Sequence, residues 1–143
     1  MRVHFERIGV FASLLMFLIS GISHISNPFS DVGRLSKAFP FALNDNQAAF
    51  IIFLAGLAEI VAVILIMCDL FDDGKLNTSK SVYAYIFLIF FTITVTILFY
   101  ANPFTGVFKQ TGTLSNITTT GALLVGLSLA LGNSPVASFV PIA

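Results

Sequence analysis

The chain has 143 residues, 57% hydrophobic and 10% charged, with seven basic residues balancing seven acidic ones. A soluble domain carries about a quarter charged residues, so this composition excludes a water-soluble globule and points to one integral membrane domain over residues 1–143. Zero net charge gives no reason to expect a nucleic-acid partner, and the single cysteine, Cys68, excludes an intramolecular disulfide, a CxxC pair or a thiolate metal site.

Behind Arg2, His4, Glu6 and Arg7 comes the run 8–25, IGVFASLLMFLISGISHI, long enough for one span. A basic start before an apolar run also fits a signal peptide, but this run outlasts a usual h-region and lacks an A-x-A site. Gly9, Ala12, Ser13, Ser20 and Gly21 are small enough to let another helix approach closely. His24 ends the span, as an interfacial histidine or a functional one.

Residues 26–47 are too many for a plain connection and predict structure of their own. Ser30, after Pro28, is a candidate N-cap, and Val32, Leu35 and Phe39 recur at helical spacing with Arg34 and Lys37 off that stripe. This is a short amphipathic helix, lying on the membrane or tucked over the bundle, and Pro40 stops it. Asn44 and Asp45 then cap the next helix.

The second span, 48–68, reads AAFIIFLAGLAEIVAVILIMC and holds one charged group, Glu59, near its middle. Twenty-one helical residues cover ~30 Å, the thickness of a bilayer core. A carboxylate at that depth costs at least ~2.5 kcal/mol, so Glu59 needs a partner inside the bundle or a proton.

Residues 69–81, DLFDDGKLNTSKS, predict a solvated loop. Its likeness to a calcium loop is superficial, since Lys80 stands where the bidentate acid belongs. The third span, 82–101, contains the strand-like alternation TITVTI, but an isolated strand in lipid leaves its backbone unpaired, so helix is predicted. Tyr83, Tyr85 and Tyr100 sit near its ends like an aromatic belt, while Thr92 and Thr96 share a face. Asn102-Pro103 breaks this helix.

The fourth span, 114–131, opens on the polar stretch SNITTTG, either a bundle-facing pocket or an interface position. Gly132, Asn133, Pro135 and Pro141 predict an irregular tail. The sequons at Asn77 and Asn116 lie at or near membrane boundaries, where glycosylation is not expected. Four Lys/Arg on one face against three on the other leave orientation open.

The predicted fold is therefore all-α: an integral membrane four-helix bundle with a short amphipathic helix between the first and second spans. By spacing, His24, Tyr100 and Asn116 ring one mouth, Glu59 lies deeper, and Arg34 and Lys37 stand above. Such a mouth suits a small anion or the head group of a quinone; the alternative is that each polar residue merely bonds a neighbouring helix. With only two histidines, His4 and His24, at opposite ends, no metal site is expected. No phosphate loop, nucleophile elbow or dinucleotide fingerprint is present.

Several motifs carry a resemblance. The first span follows Arg7 and ends in Ser20-Gly21-Ile22-Ser23-His24, similar to an R…SGxxK pattern with histidine in place of lysine. Gly33 to Pro40 resembles a short helix ending in proline. Gly56-Leu57-Ala58-Glu59 resembles GxxE, with Val63 where a second glycine is usual. Leu98-Phe99-Tyr100, Pro103-Phe104, Asn116-Ile117 and Gly121-Ala122-Leu123 are similar to LFH…PF and KNLALxGGxL, with Tyr100 for histidine and Ser115 for lysine. From Arg7 to Gly132 the chain thus resembles the DoxX/DoxD-like membrane proteins, which include the plant HR-like lesion-inducing proteins. The resemblance implies a four-helix bundle associated with membrane redox complexes, such as thiosulfate:quinone oxidoreductase or oxidative-stress assemblies, in a bacterial or mitochondrial inner membrane. It implies no intrinsic cofactor, with quinone as a possible ligand. The altered positions favour a non-catalytic accessory subunit over an enzyme acting alone. A quinone- or anion-binding redox subunit using Glu59 is the second expectation, and a proton-coupled small transporter the third.

Overall fold

Four segments long and apolar enough to cross a bilayer must each satisfy their backbone internally, and in the computed structural model, which describes residues 2–71 and 79–132, all four are helices. These are α1 (Arg2–Ser26), α3 (Asp45–Phe71), α4 (Ser79–Phe99) and α5 (Gln110–Gly132), with the short α2 (Val32–Ala38) between the first two. The middle of the 69–81 loop, the Asn77 sequon and the tail beyond Gly132 lie outside the described residues.

The four long helices form a ring in the order α1, α3, α4, α5, with α1 most extensively packed on α3 and the α5–α1 seam the loosest. The main core fills the ring's interior toward one end of the bundle and joins Leu14 and Phe17 of α1 to Ile66, Leu88 and Leu123 of the other three helices. Outward rows remain apolar, as at Ile19, Leu54, Val61, Phe90 and Val125. A bundle with an apolar outside and a tight inside is solvated by lipid, so this is a small integral membrane protein.

Local chemistry explains the boundaries. At the start of α3, Asn44 Oδ1 accepts from the Gln47 amide at 2.8 Å, while Gln47 Oε1 accepts from the Asn44 amide at 3.2 Å. This reciprocal capping box begins the helix three residues before the apolar run. Asp31, not Ser30, occupies the N-cap position of α2. The same helix ends where predicted, because Phe39, preceding Pro40, is extended at φ −83° and ψ 141°.

Between α4 and α5 the chain forms a small antiparallel ribbon, β1 (Ala101–Asn102) and β2 (Val107–Phe108), turning through Gly106 at φ +68°. Asn102 is more than a helix breaker. Its buried amide donates to the carbonyls of Leu98 at 2.8 Å and Ala38 at 3.1 Å, and its oxygen accepts from the amides of Phe104 and Thr105. One side chain ties α2 to α4 and shapes the turn.

Two sequence expectations are corrected. The solvated loop is narrower than 69–81, since Asp69 lies in the last turn of α3 and Ser81 in the first turn of α4, both are buried, and Ser81 Oγ donates to Asp69 Oδ2 at 2.5 Å. The aromatic belt also loses one of its three members. Tyr83 faces outward and Tyr100, at the end of α4, is half-buried against Gly112, but Tyr85 is fully buried against Gly126. A Cβ on either glycine would strike the ring at 2.5 Å or less, so both tyrosines serve as packing surfaces for α5.

Candidate functional site

Glu59 sits 14 residues after the start of α3 and 12 before its end, ~21 Å and ~18 Å along the axis. Its side chain is 1% exposed. Among the described residues its hydrogen-bond partners both come from α1, where Ser20 and His24 are four residues apart and share one face. Ser20 Oγ donates toward Oε1 at 3.2 Å and Oε2 at 3.3 Å, and His24 Nδ1 lies 3.1 Å from Oε2. With Nδ1 protonated, the imidazole donates to the carboxylate.

Two glycines permit this geometry. A Cβ on Gly21 would stand 2.9 Å from the Gly56 carbonyl oxygen, and one on Gly56 would stand 2.8 Å from the Gly21 carbonyl oxygen. With no side chain at either position, the α1 and α3 backbones touch, and Ser20 and His24 reach across to Glu59.

The contact also sets relative height. Spacing alone put His24 at the mouth and Glu59 well below it, but the two side chains are bonded. Because Gly21 packs at Gly56, α1 ends about two turns short of the N-terminus of α3. Helix α2 fills the space left above it. Val32 and Leu35 pack on Ala48, Ala49 and Ile52, with Phe99 beside them. Thus α2 is tucked over the bundle and roofs the Glu59 site.

Under that roof lies a cavity of about 390 Å³. Its wall is mostly apolar, with Phe17, Ile52, Phe91, Leu98 and Phe99 among its members, and its polar groups are grouped toward Glu59 and α2. His24, Tyr100, Asn116 and Arg34 all line it together with Glu59, while Lys37 is exposed and stands outside the wall. Asn116 lies half-buried on this wall.

The polar groups continue outward from Glu59. His24 Nε2 is 3.9 Å from Asp31 Oδ2, and Asp31 Oδ1 accepts from Arg34 Nη1 at 3.4 Å. The Arg34 guanidinium lies 5.2 Å from the ring centre of Phe99 and 5.9 Å from that of Tyr100. Hydrogen bonding to Tyr100, with Asp31 adding its charge, holds Arg34 above its ordinary value, so it stays cationic.

Two members escaped the sequence reading. In the sequence Ser20 reads as a small packing residue, and Asp31 is not singled out. The four-residue step from Ser20 to His24 was the available signal for the first; nothing local marked the second. Thr92 lines the wall as well, but its hydroxyl is spent on the Leu88 carbonyl at 2.8 Å. Among the described residues no group of three or more His, Cys, Asp or Glu could hold a metal ion. No family model, curated protein or solved structure matches this chain.

Proposed function

We propose that the chain is a small membrane-embedded binding protein whose cavity takes the head group of a neutral, lipid-soluble molecule of the quinone or quinol kind. The observation that carries this reading is Glu59: a buried mid-helix carboxyl group that belongs to the wall of a 390 Å³ cavity. That volume lies in the usual range of small-molecule sites. The mostly apolar wall suits a ring and the start of a tail. Glu59 accepts from a ligand hydroxyl, while Asn116 and Arg34 supply donors for a ligand oxygen at the outer end.

Charge argues against a small anion. Two carboxyl groups, Glu59 and Asp31, face the cavity against one permanent cation, Arg34, and Lys37 adds nothing because it lies outside. The route of entry fits a lipid-borne ligand. Ile51 of α3 and Thr94 of α4 are both exposed and both belong to the cavity wall, so the cavity meets the bilayer-facing surface between these neighbouring helices.

Toward the opposite face, Leu14, Ile66, Leu88 and Leu123 are packed to 1% exposure or less and none lines the cavity. Such a plug favours binding from one side over alternating-access transport. The DoxX-like resemblance adds the setting: a non-catalytic subunit or partner of a larger redox or respiratory complex in a bacterial or mitochondrial inner membrane, with electrons supplied by other subunits.

The test is equilibrium binding of a short-tailed benzoquinol to the full chain in nanodiscs. The wild type is expected to bind saturably, and Glu59→Gln to weaken binding about tenfold, because a charge-assisted hydrogen bond becomes a neutral one. Equal affinity in the two proteins overturns the proposal.

A further inference from the structure

The line of groups leading away from Glu59 has a use beyond binding. Glu59 is buried at mid-helix, and Asp31 is 32% exposed at the start of α2. Between them stands one imidazole, with Nδ1 3.1 Å from the inner carboxylate and Nε2 3.9 Å from the outer one. Each ring nitrogen thus faces a different acid, and the ring itself is 23% exposed. We propose that His24 relays protons between Asp31, at the α2-side surface, and Glu59, inside the membrane.

The transfer balances as follows. A proton taken up by Asp31 Oδ2 passes to His24 Nε2, and the proton already on Nδ1 moves to Glu59 Oε2. The result is a neutral Glu59 and an imidazole carrying its proton on Nε2. Rotation of the ring, or return of a proton by the same route, resets it. The inner step needs no rearrangement at 3.1 Å. The outer gap of 3.9 Å exceeds a direct hydrogen bond and is spanned by one bridging water or a small turn of the Asp31 side chain.

The surroundings fit a relay. Arg34 holds the other Asp31 oxygen at 3.4 Å, and Oδ2, which faces the ring, also accepts from Ser30 Oγ at 3.3 Å. Ser20 holds the Glu59 carboxylate from α1. The charged or titratable groups facing this line are Asp31 and Arg34 around the start of α2, Glu59 from α3 and Tyr100 after α4; the wall residue from α5 is the neutral Asn116. A carboxylate relaying through histidine is how a buried acid exchanges protons with water without a continuous aqueous channel. A bound quinol would hand its proton to Glu59 and out by this route, but the relay stands without a ligand.

Time-resolved infrared spectroscopy of the full chain in nanodiscs, after photorelease of a caged proton, tests it with no quinone present. The carboxylic-acid carbonyl band that Glu59→Gln removes reports Glu59. In the wild type this band is expected to rise after the pulse, and Asp31→Asn to slow that rise at least tenfold, with Asp31→Glu restoring it. His24→Phe is expected to slow it further, and Asp31→Asn, which leaves every Glu59 hydrogen bond in place, keeps the test decisive should His24→Phe misfold. Rates in Asp31→Asn within twofold of wild type, or a wild-type spectrum with no band that Glu59→Gln removes, overturn the relay. Because the quinol measurement is separate, a chain that binds no quinol can still relay protons, and one that relays none can still bind.

Discussion

Helix α3 buries two acids ten residues apart, and they do different things. Glu59 is held from α1 by Ser20 and His24 and looks into a cavity. Asp69 is held from α4 by Ser81 at 2.5 Å, is buried, and is absent from the cavity wall. Depth differs as well, since Asp69 is two residues from the end of its helix and Glu59 is near the middle. Burial of a carboxyl group therefore does not by itself mark a site. The distinguishing feature is whether its neighbours leave room for another molecule.

The contrast can be broken at four points. The largest effect is expected from Gly56→Val, which pushes side-chain atoms into the Gly21 carbonyl and the His24 Cβ. Backbone cannot step aside as a side chain can, so about 3 kcal/mol of stability should be lost in unfolding from mixed micelles. Separation of α1 from α3 should abolish quinol binding along with it.

Next comes Asp69→Asn. Weakening a short bond to a buried hydroxyl should cost about 2 kcal/mol in the same unfolding assay. Quinol affinity should stay at the wild-type value. Together these outcomes would assign Asp69 to holding α3 on α4.

Glu59→Gln should behave in the reverse sense. The amide oxygen still accepts from Ser20 and His24, and a buried charge is removed, so stability should move by less than about 1 kcal/mol. Affinity should fall about tenfold. A variant that loses stability and keeps affinity would make Glu59 a second Asp69.

The smallest effect is expected at Lys37, which is exposed and off the cavity wall. Lys37→Ala should change both unfolding and affinity by no more than about 0.5 kcal/mol. A larger loss of affinity would restore the cationic lid that spacing suggested.

Much of the architecture was legible because lipid leaves few choices. Four apolar runs have to be helices, and the capping residues at Asn44 and the stop at Pro40 act locally. Helix ends were harder, since polar residues such as Asp69 and Ser81 read as loop until they are seen to bond each other across two helices. Tyr85 was misread for a similar reason: an interfacial tyrosine and one seated on a glycine of another helix look alike along the chain.

For the site, Glu59 announced itself through the cost of burying its charge. His24, Tyr100, Asn116 and Arg34 were grouped correctly by the end of the bundle they occupy, yet their relative heights were not. Height depends on where Gly21 meets Gly56, a pairing between helices that no single helix encodes. Ser20 and Asp31 become visible only once that pairing is known.

The central claim, that Glu59 faces reachable space and Asp69 does not, is tested most directly by a lipid-soluble carbodiimide, which captures carboxyl groups accessible from an apolar phase. Adducts formed on the full chain in nanodiscs would be mapped by mass spectrometry, with and without a short-tailed benzoquinol. The account predicts modification of Glu59, protection by the quinol, and an unmodified Asp69. Modification of Asp69 as fast as Glu59, or a Glu59 that never reacts, would contradict it.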